Sequence, residues 1–127
     1  MVTVVFDSMG EAVRLALVAD EYVGGGLAVL LLDATDPRAD GYMAEWGVLT
    51  ANVPAAAEWC RGRGNIAIDA DTRTALLEAL EAAGTVRMAD RSAASGMARY
   101  PLATVAGHAL AVMASLPETL EEALGST

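Results

Sequence analysis

Tyr22-Val23-Gly24-Gly25-Gly26-Leu27-Ala28-Val29-Leu30-Leu31-Leu32-Asp33 is the stretch whose reading decides the fold. Three successive glycines adopt positive φ at no steric cost, as a hairpin turn requires. The apolar run after them, Leu27 to Leu32, has the length of a buried strand and stops at an aspartate. On the other side, Ala12-Val13-Arg14-Leu15-Ala16-Leu17-Val18 fits a helix or a strand by its own period. The glycine turn tips the choice. Ala12 to Val23 and Leu27 to Leu32 are expected to pair as a β-hairpin.

Working outward, Val2 to Phe6 is β-branched and aromatic and reads as a first strand. Asp33 to Gly41 holds Pro37, three aspartates and a glycine, the composition of an exposed loop. Glu45 to Val53 is expected to be the third core strand, closed by Pro54, which cannot donate into a ladder. Ala55 to Gly64 is a connection with helical character, and Asn65 to Ile68 a short strand. A helix should follow over about 70–83, capped by Asp69 or Asp71, with Leu76, Leu77, Leu80 and Ala83 on one stripe and Gly84 as its stop. Thr85 to Met88 and Met97 to Val105 read as extended, separated by a polar turn from Asp90 to Gly96. His108 to Met113 is open between strand and helix. Ser115-Leu116-Pro117-Glu118 has capping-box spacing for a short C-terminal helix, Leu116 to Leu124. The expected fold is α+β: a single domain, 1–127, with a mostly antiparallel sheet, one clear helix and a short C-terminal one.

The composition narrows the function classes. The 127 residues are 54% hydrophobic but only 5% aromatic, so the core must come from Leu, Val, Ile and Met. The longest apolar runs are too short to span a bilayer, Met1 to Asp7 lacks the pattern of a signal peptide, and Cys60 has no partner for an intrachain disulfide. A cytoplasmic protein without membrane contact is the expectation. The net charge is −9, and all 8 basic residues are arginine, a bias expected of a GC-rich bacterial genome. Direct nucleic-acid binding is disfavoured, because it needs a basic patch and only Arg61 and Arg63 stand close together. The acidity reads either as solubility or as a surface that meets a basic partner, imitating the phosphate charge of nucleic acid.

Candidate chemistry is sparse. Asp33, Asp36 and Asp40 bring carboxylates into one loop, but not with EF-hand spacing and with no closing glutamate. Asp69 and Asp71 flank a strand-to-helix turn, where two carboxylates with divergent pKa values could act as acid and base; helix capping explains both without catalysis. Cys60 lies beside Arg61 and near Arg63, which would favour a thiolate, yet no motif links it to His108. Gly62-Arg63-Gly64-Asn65 lacks the Walker pattern and precedes a strand, so it reads as a turn. No metal, cofactor or catalytic residue is assigned. Trp46, Trp59, Tyr22, Tyr42 and Tyr100 read as internal packing; Tyr42, Trp46 and Trp59, if exposed together, would form an interface anchor.

Taken in order, Tyr22-Val23-Gly24-Gly25-Gly26-Leu27, Leu32-Asp33, Leu49-Thr50-Ala51-Asn52-Val53-Pro54, Ala67-Ile68-Asp69, Leu76-Leu77 with Gly84, and Ser95-Gly96-Met97-Ala98-Arg99-Tyr100-Pro101-Leu102 form a pattern. It resembles domain-of-unknown-function family 4313, small bacterial proteins met on plasmids, phages and integrated mobile elements. The likeness runs over about Ala12 to Val105 and lacks the asparagine-rich turn expected after Asp69. It implies no catalytic residues. What it implies is an accessory protein of mobile DNA that binds a host or defence protein, as an anti-CRISPR-like inhibitor or nucleic-acid mimic does. The expected function is thus non-enzymatic protein–protein contact. Asp33, Asp36, Asp40, Glu45 and Glu58 would supply an acidic surface, and Tyr42, Trp46 and Trp59 its aromatic contacts. The alternatives are a small ligand-binding domain or hydrolase using Asp69, Asp71 or Cys60, and a homodimer paired through a sheet edge.

Overall fold

The computed structural model describes residues 1–35 and 43–113. Among them, seven strands form two antiparallel sheets. Strands β1 (Val2–Ser8), β2 (Glu11–Glu21), β3 (Leu27–Asp33) and β4 (Glu45–Val48) make the first, in chain order. The second is ordered β5-β7-β6, from β5 (Asn65–Ala67), β6 (Val86–Ser95) and β7 (Ala98–Val105). Helices α1 (Ala57–Cys60), which continues a 3₁₀ turn at Pro54–Ala56, and α2 (Thr74–Ala82) complete the named elements. Residues 107–113 are also helical, which resolves the ambiguity over His108 to Met113. The architecture is α+β and mostly antiparallel, but the helices among the described residues are all short, so no single helix dominates there.

The glycine turn does what its sequence requires. β2 and β3 pair from Leu15↔Asp33 to Glu21↔Leu27, and Gly24 and Gly25 carry φ of 105° and 102°. β1 joins β2 through Met9 and Gly10, both at positive φ, the combination of a type I′ turn. Along β2 and β3, Leu15, Leu17, Val29 and Leu31 point into the main core, where they meet Val4 and Phe6 of β1 and Leu76 and Leu80 of α2. The second sheet contributes buried residues from both faces. Ile66, Ala103 and Val105 face the main core, while Ala67, Leu102 and Ala93 face a smaller cluster with Val53 and Ala56. The strand period of two separates the sets.

Three expectations need correction. The segment from Glu45 does not run on as a core strand to Val53: β4 ends at Val48, is an edge strand, and exposes Glu45, Trp46 and Val48. Leu31 pairs with Gly47 and Leu32 with Glu45, so Trp46 is an extra, bulged residue. The chain then changes partners. Leu49 N–H still reaches the Val29 carbonyl (2.9 Å), but Ala51 N–H reaches the Ala67 carbonyl (2.9 Å) and Asp69 N–H the Leu49 carbonyl (2.8 Å). Those few residues stitch the two sheets together.

The second correction concerns the helix expected over about 70–83. It spans Thr74–Ala82, with Arg73 as N-cap and no side chain capping it. Asp69 is occupied elsewhere: its Oδ1 accepts Asp71 N–H (2.9 Å) and its carbonyl accepts Thr72 N–H (3.0 Å). An aspartate that closes its own turn cannot also cap a helix further along. The end of α2 is as expected. Gly84, at φ 72°, bonds to the Glu81 carbonyl (3.0 Å) and Thr85 to that of Leu80 (3.0 Å), a Schellman closure.

Third, Asp90 to Gly96 is not a turn. β6 runs through it to Ser95, and the reversal is the two residues Gly96 and Met97. What the polar stretch marks is a bulge between Met88 and Ser92, with Asp90 at φ 58°. The C-terminal helix expected over Leu116 to Leu124 lies outside the described residues, as do Asp36, Asp40 and Tyr42.

Candidate functional site

Where β4 hands its pairing from β3 to β5, the sheet forks, and the fork is sealed by side chains. Thr50 Oγ1 accepts the Val29 N–H (3.2 Å), replacing the carbonyl that a continued β4 would have offered. The Tyr22 hydroxyl lies 2.8 Å from the same oxygen. Thr50 is only 3% exposed, so its hydroxyl has to be satisfied, and one oxygen serves both neighbours. Beyond this plug the β2–β3 hairpin and the 51–53 segment part. Between them opens a cleft of about 270 Å³, lined by the glycine turn, Leu27, Asn52, Val53, Cys60, Arg61 and Ala67 among others.

Cys60 sits inside this cleft as a neutral thiol. Burial raises its pKa above the ordinary thiol value, and the Ala67 N–H nearby opposes that only in part. Arg61 is exposed and does not reverse the shift. His108 lies on the 107–113 helix, exposed, and shares no hydrogen bond with Cys60. The arrangement is not that of an activated nucleophile.

Asp69 and Asp71 flank a shallow depression with Trp46, Thr72, Arg73 and Leu76. They meet through the Asp71 N–H, which donates to Asp69 Oδ1, and not carboxylate to carboxylate. Arg73, on the same rim, donates to the Ser8 hydroxyl across to β1. Among the described residues no three His, Cys, Asp or Glu side chains gather where they could hold a metal ion. No helix among them is long and apolar enough to cross a membrane.

Those of the residues read as a binding surface that are described fall into two places. Asp33 and Glu45 are neighbours at one end of the four-stranded sheet, where Asp33 N–H bonds to the Ala44 carbonyl (2.8 Å) and Glu45 pairs with Leu32. Trp46, 38% exposed, stands beside them and sets its ring edge-on to Phe6, with centroids 5.7 Å apart. Glu58 and Trp59 belong to α1. Trp59 is packed onto the three-stranded sheet, its indole N–H shared between the Ile66 and Ala103 carbonyls at 3.2 Å each. The Arg91 guanidinium lies over its ring at 5.6 Å. The two tryptophans therefore do not make one anchor. Tyr22 and Tyr100 are half-buried, as expected of packing aromatics.

Charge is divided unevenly. Residues 1–35 and 43–50, which build the four-stranded sheet, carry six carboxylates (Asp7, Glu11, Asp20, Glu21, Asp33, Glu45) against Arg14 alone. Residues 51–113 carry six of each sign. This division could have been counted from the sequence once the sheets were known; the cleft could not. No family model, curated protein or solved structure matches the chain.

Proposed function

We propose that the chain is a non-enzymatic binding protein whose four-stranded sheet presents an acidic surface to a basic groove on a partner protein. The division of charge carries this reading: the excess negative charge of the described residues falls on the four-stranded sheet and its turns, whereas residues 51–113 balance as a whole and the strands of the other sheet carry Arg87, Arg91 and Arg99 against Asp90. Asp33 and Glu45, with exposed Trp46 and Val48 beside them, place apolar area next to carboxylates at one end of that sheet. An apolar patch with a charged rim suits protein recognition, and complementary charge speeds encounter more than it tightens the final complex. The resemblance to family 4313 suggests the setting: an accessory protein of a bacterial mobile element acting on a host defence complex.

The test begins with a tagged pull-down from bacterial lysate at low and moderate salt. The purified partner is then titrated with wild type and with the triple variant Glu11→Lys, Asp33→Lys, Glu45→Lys. The variant should bind about tenfold or more weakly at low salt and should lose most of the salt dependence. Unchanged affinity with unchanged salt dependence would sink the reading. Glu58→Lys, measured alongside, reports whether α1 belongs to the same surface.

A further inference from the structure

The cleft beyond Thr50 combines an unpaired strand edge, an apolar floor and a cationic rim. Backbone groups along a strand alternate in direction. The bond from Tyr22 N–H to the Gly26 carbonyl (2.7 Å) shows that the even-numbered residues of β3 face β2. Val29 faces the other way, bonded to Leu49 N–H and to Thr50 Oγ1. Leu27, two residues before Val29, therefore directs its N–H and its carbonyl to the side of the departed strand, into the cleft. No described residue bonds to either group. Val53 and Ala67 are buried in the floor, with half-buried Leu27 and the neutral Cys60 thiol beside them. Asn52 and Arg61 stand exposed on the opposite wall, and the Arg61 guanidinium has no partner among the described residues.

We propose that this cleft binds the carboxy-terminal end of a peptide chain. A peptide end offers an amide N–H and C=O at strand spacing, which pair with the free edge at Leu27 in the manner of an added strand. Its terminal carboxylate meets Arg61, whose planar fork matches two oxygens. Its last side chain is apolar and of modest size, because the floor is apolar and the space is about 270 Å³. The Glu21 carboxylate, 3.8 Å from where a side chain on Gly25 would begin, disfavours acidic residues upstream in the peptide. Arg61 and Leu27 take no part in the acidic surface proposed above, so the two ideas stand or fall separately.

The experiment is an amide-resolved NMR titration of the full chain with N-acetyl-alanyl-leucine and with its carboxamide. The acid should give saturable shifts at Leu27, Asn52 and Arg61, and the carboxamide should bind about tenfold more weakly. Arg61→Gln should reduce the acid to the level of the carboxamide, and Arg63→Gln should leave the acid's affinity unchanged. Equal binding of acid and carboxamide would overturn the proposal. So would an equal loss from Arg63→Gln, which would indicate bulk charge rather than a site. So would the absence of saturable shifts at about 10 mM of the leucine, valine and phenylalanine acids, the weak limit of useful affinity.

Discussion

Thr50 shows how much one hydroxyl carries at a fork between sheets. Thr50→Val keeps the shape but leaves the buried Val29 N–H without an acceptor and the Tyr22 hydroxyl without its partner. It should destabilise the chain by about 1–3 kcal/mol, whereas Tyr22→Phe removes one half-exposed bond and should cost about 0.5–1.5 kcal/mol. Urea midpoints of both variants and of the double variant check this, with the double variant falling short of the sum. A Thr50→Val cost no larger than that of Tyr22→Phe would mean that water satisfies Val29. In the sequence, Thr50 reads as one more strand residue before Asn52 and Pro54. Its role appears only when the partner exchange at Leu49 is known, and strand propensity carries no trace of that exchange. Cys60 supplies the residue-scale pH dependence. Its folded pKa is raised by burial, so the unfolded chain loses the thiol proton first as pH climbs. Stability is therefore unaffected below the ordinary thiol range and falls through it, and Cys60→Ala should flatten that alkaline decline. Alkylation by iodoacetamide at pH 8 should likewise run slower on the folded chain than in urea, because the thiolate is the nucleophile.

At the scale of elements, two glycines with nearly the same backbone separate strain from collision. Gly64 and Gly84 have φ of 76° and 72°. A side chain at Gly84 would meet nothing within 4 Å, whereas at Gly64 it would lie 2.9 Å from the Val105 carbonyl oxygen. That carbonyl is fixed, since the Val105 N–H bonds to Gly64 itself at 2.8 Å, which sets the entry of β5 against β7. Gly84→Ala should cost about 1–2 kcal/mol, the left-handed penalty for a residue with a Cβ. Gly64→Ala should cost about 3 kcal/mol or more, because clash adds to strain. Thermal or urea unfolding of the pair reads the difference directly, and equal losses would show that β5 can shift to make room. The stop at Gly84 was legible because a glycine after a leucine stripe has one common use. The start of α2 was not, because Asp69 and Asp71 suit an aspartate turn as well as a cap, and only the geometry shows which hydrogen bond forms. The bulge in β6 hid for a similar reason. Asp90 to Gly96 has the composition of a turn, but β7 beside it supplies enough pairing to hold those residues in a strand.

Across the whole molecule, the α+β class followed from the glycine turn and the alternating strands, and the acidity was plain in the composition. Where the acidity sits was not, because the strand order decides which carboxylates become neighbours. Six carboxylates against one arginine on one sheet raise the electrostatic free energy of the folded chain, since folding concentrates charge that the unfolded chain spreads out. If that concentration exists for a partner rather than for the fold, it should weigh against stability, and salt should relieve it. The urea midpoint of the wild type should then rise between 20 mM and 300 mM NaCl, as the screening length shrinks below the spacing of strand neighbours two or three apart. Neutralising Glu11, Glu21 and Glu45 to glutamine should raise the low-salt midpoint by about 0.3 M urea and remove most of its salt dependence. The same number of neutralisations at Glu58, Glu78 and Glu81 should raise it less, because residues 51–113 carry as many arginines as carboxylates. A midpoint indifferent to salt in every variant would mean that water screens these charges fully. Their uneven placement would then cost the fold nothing, and the acidic sheet would lose its standing as a feature kept for binding.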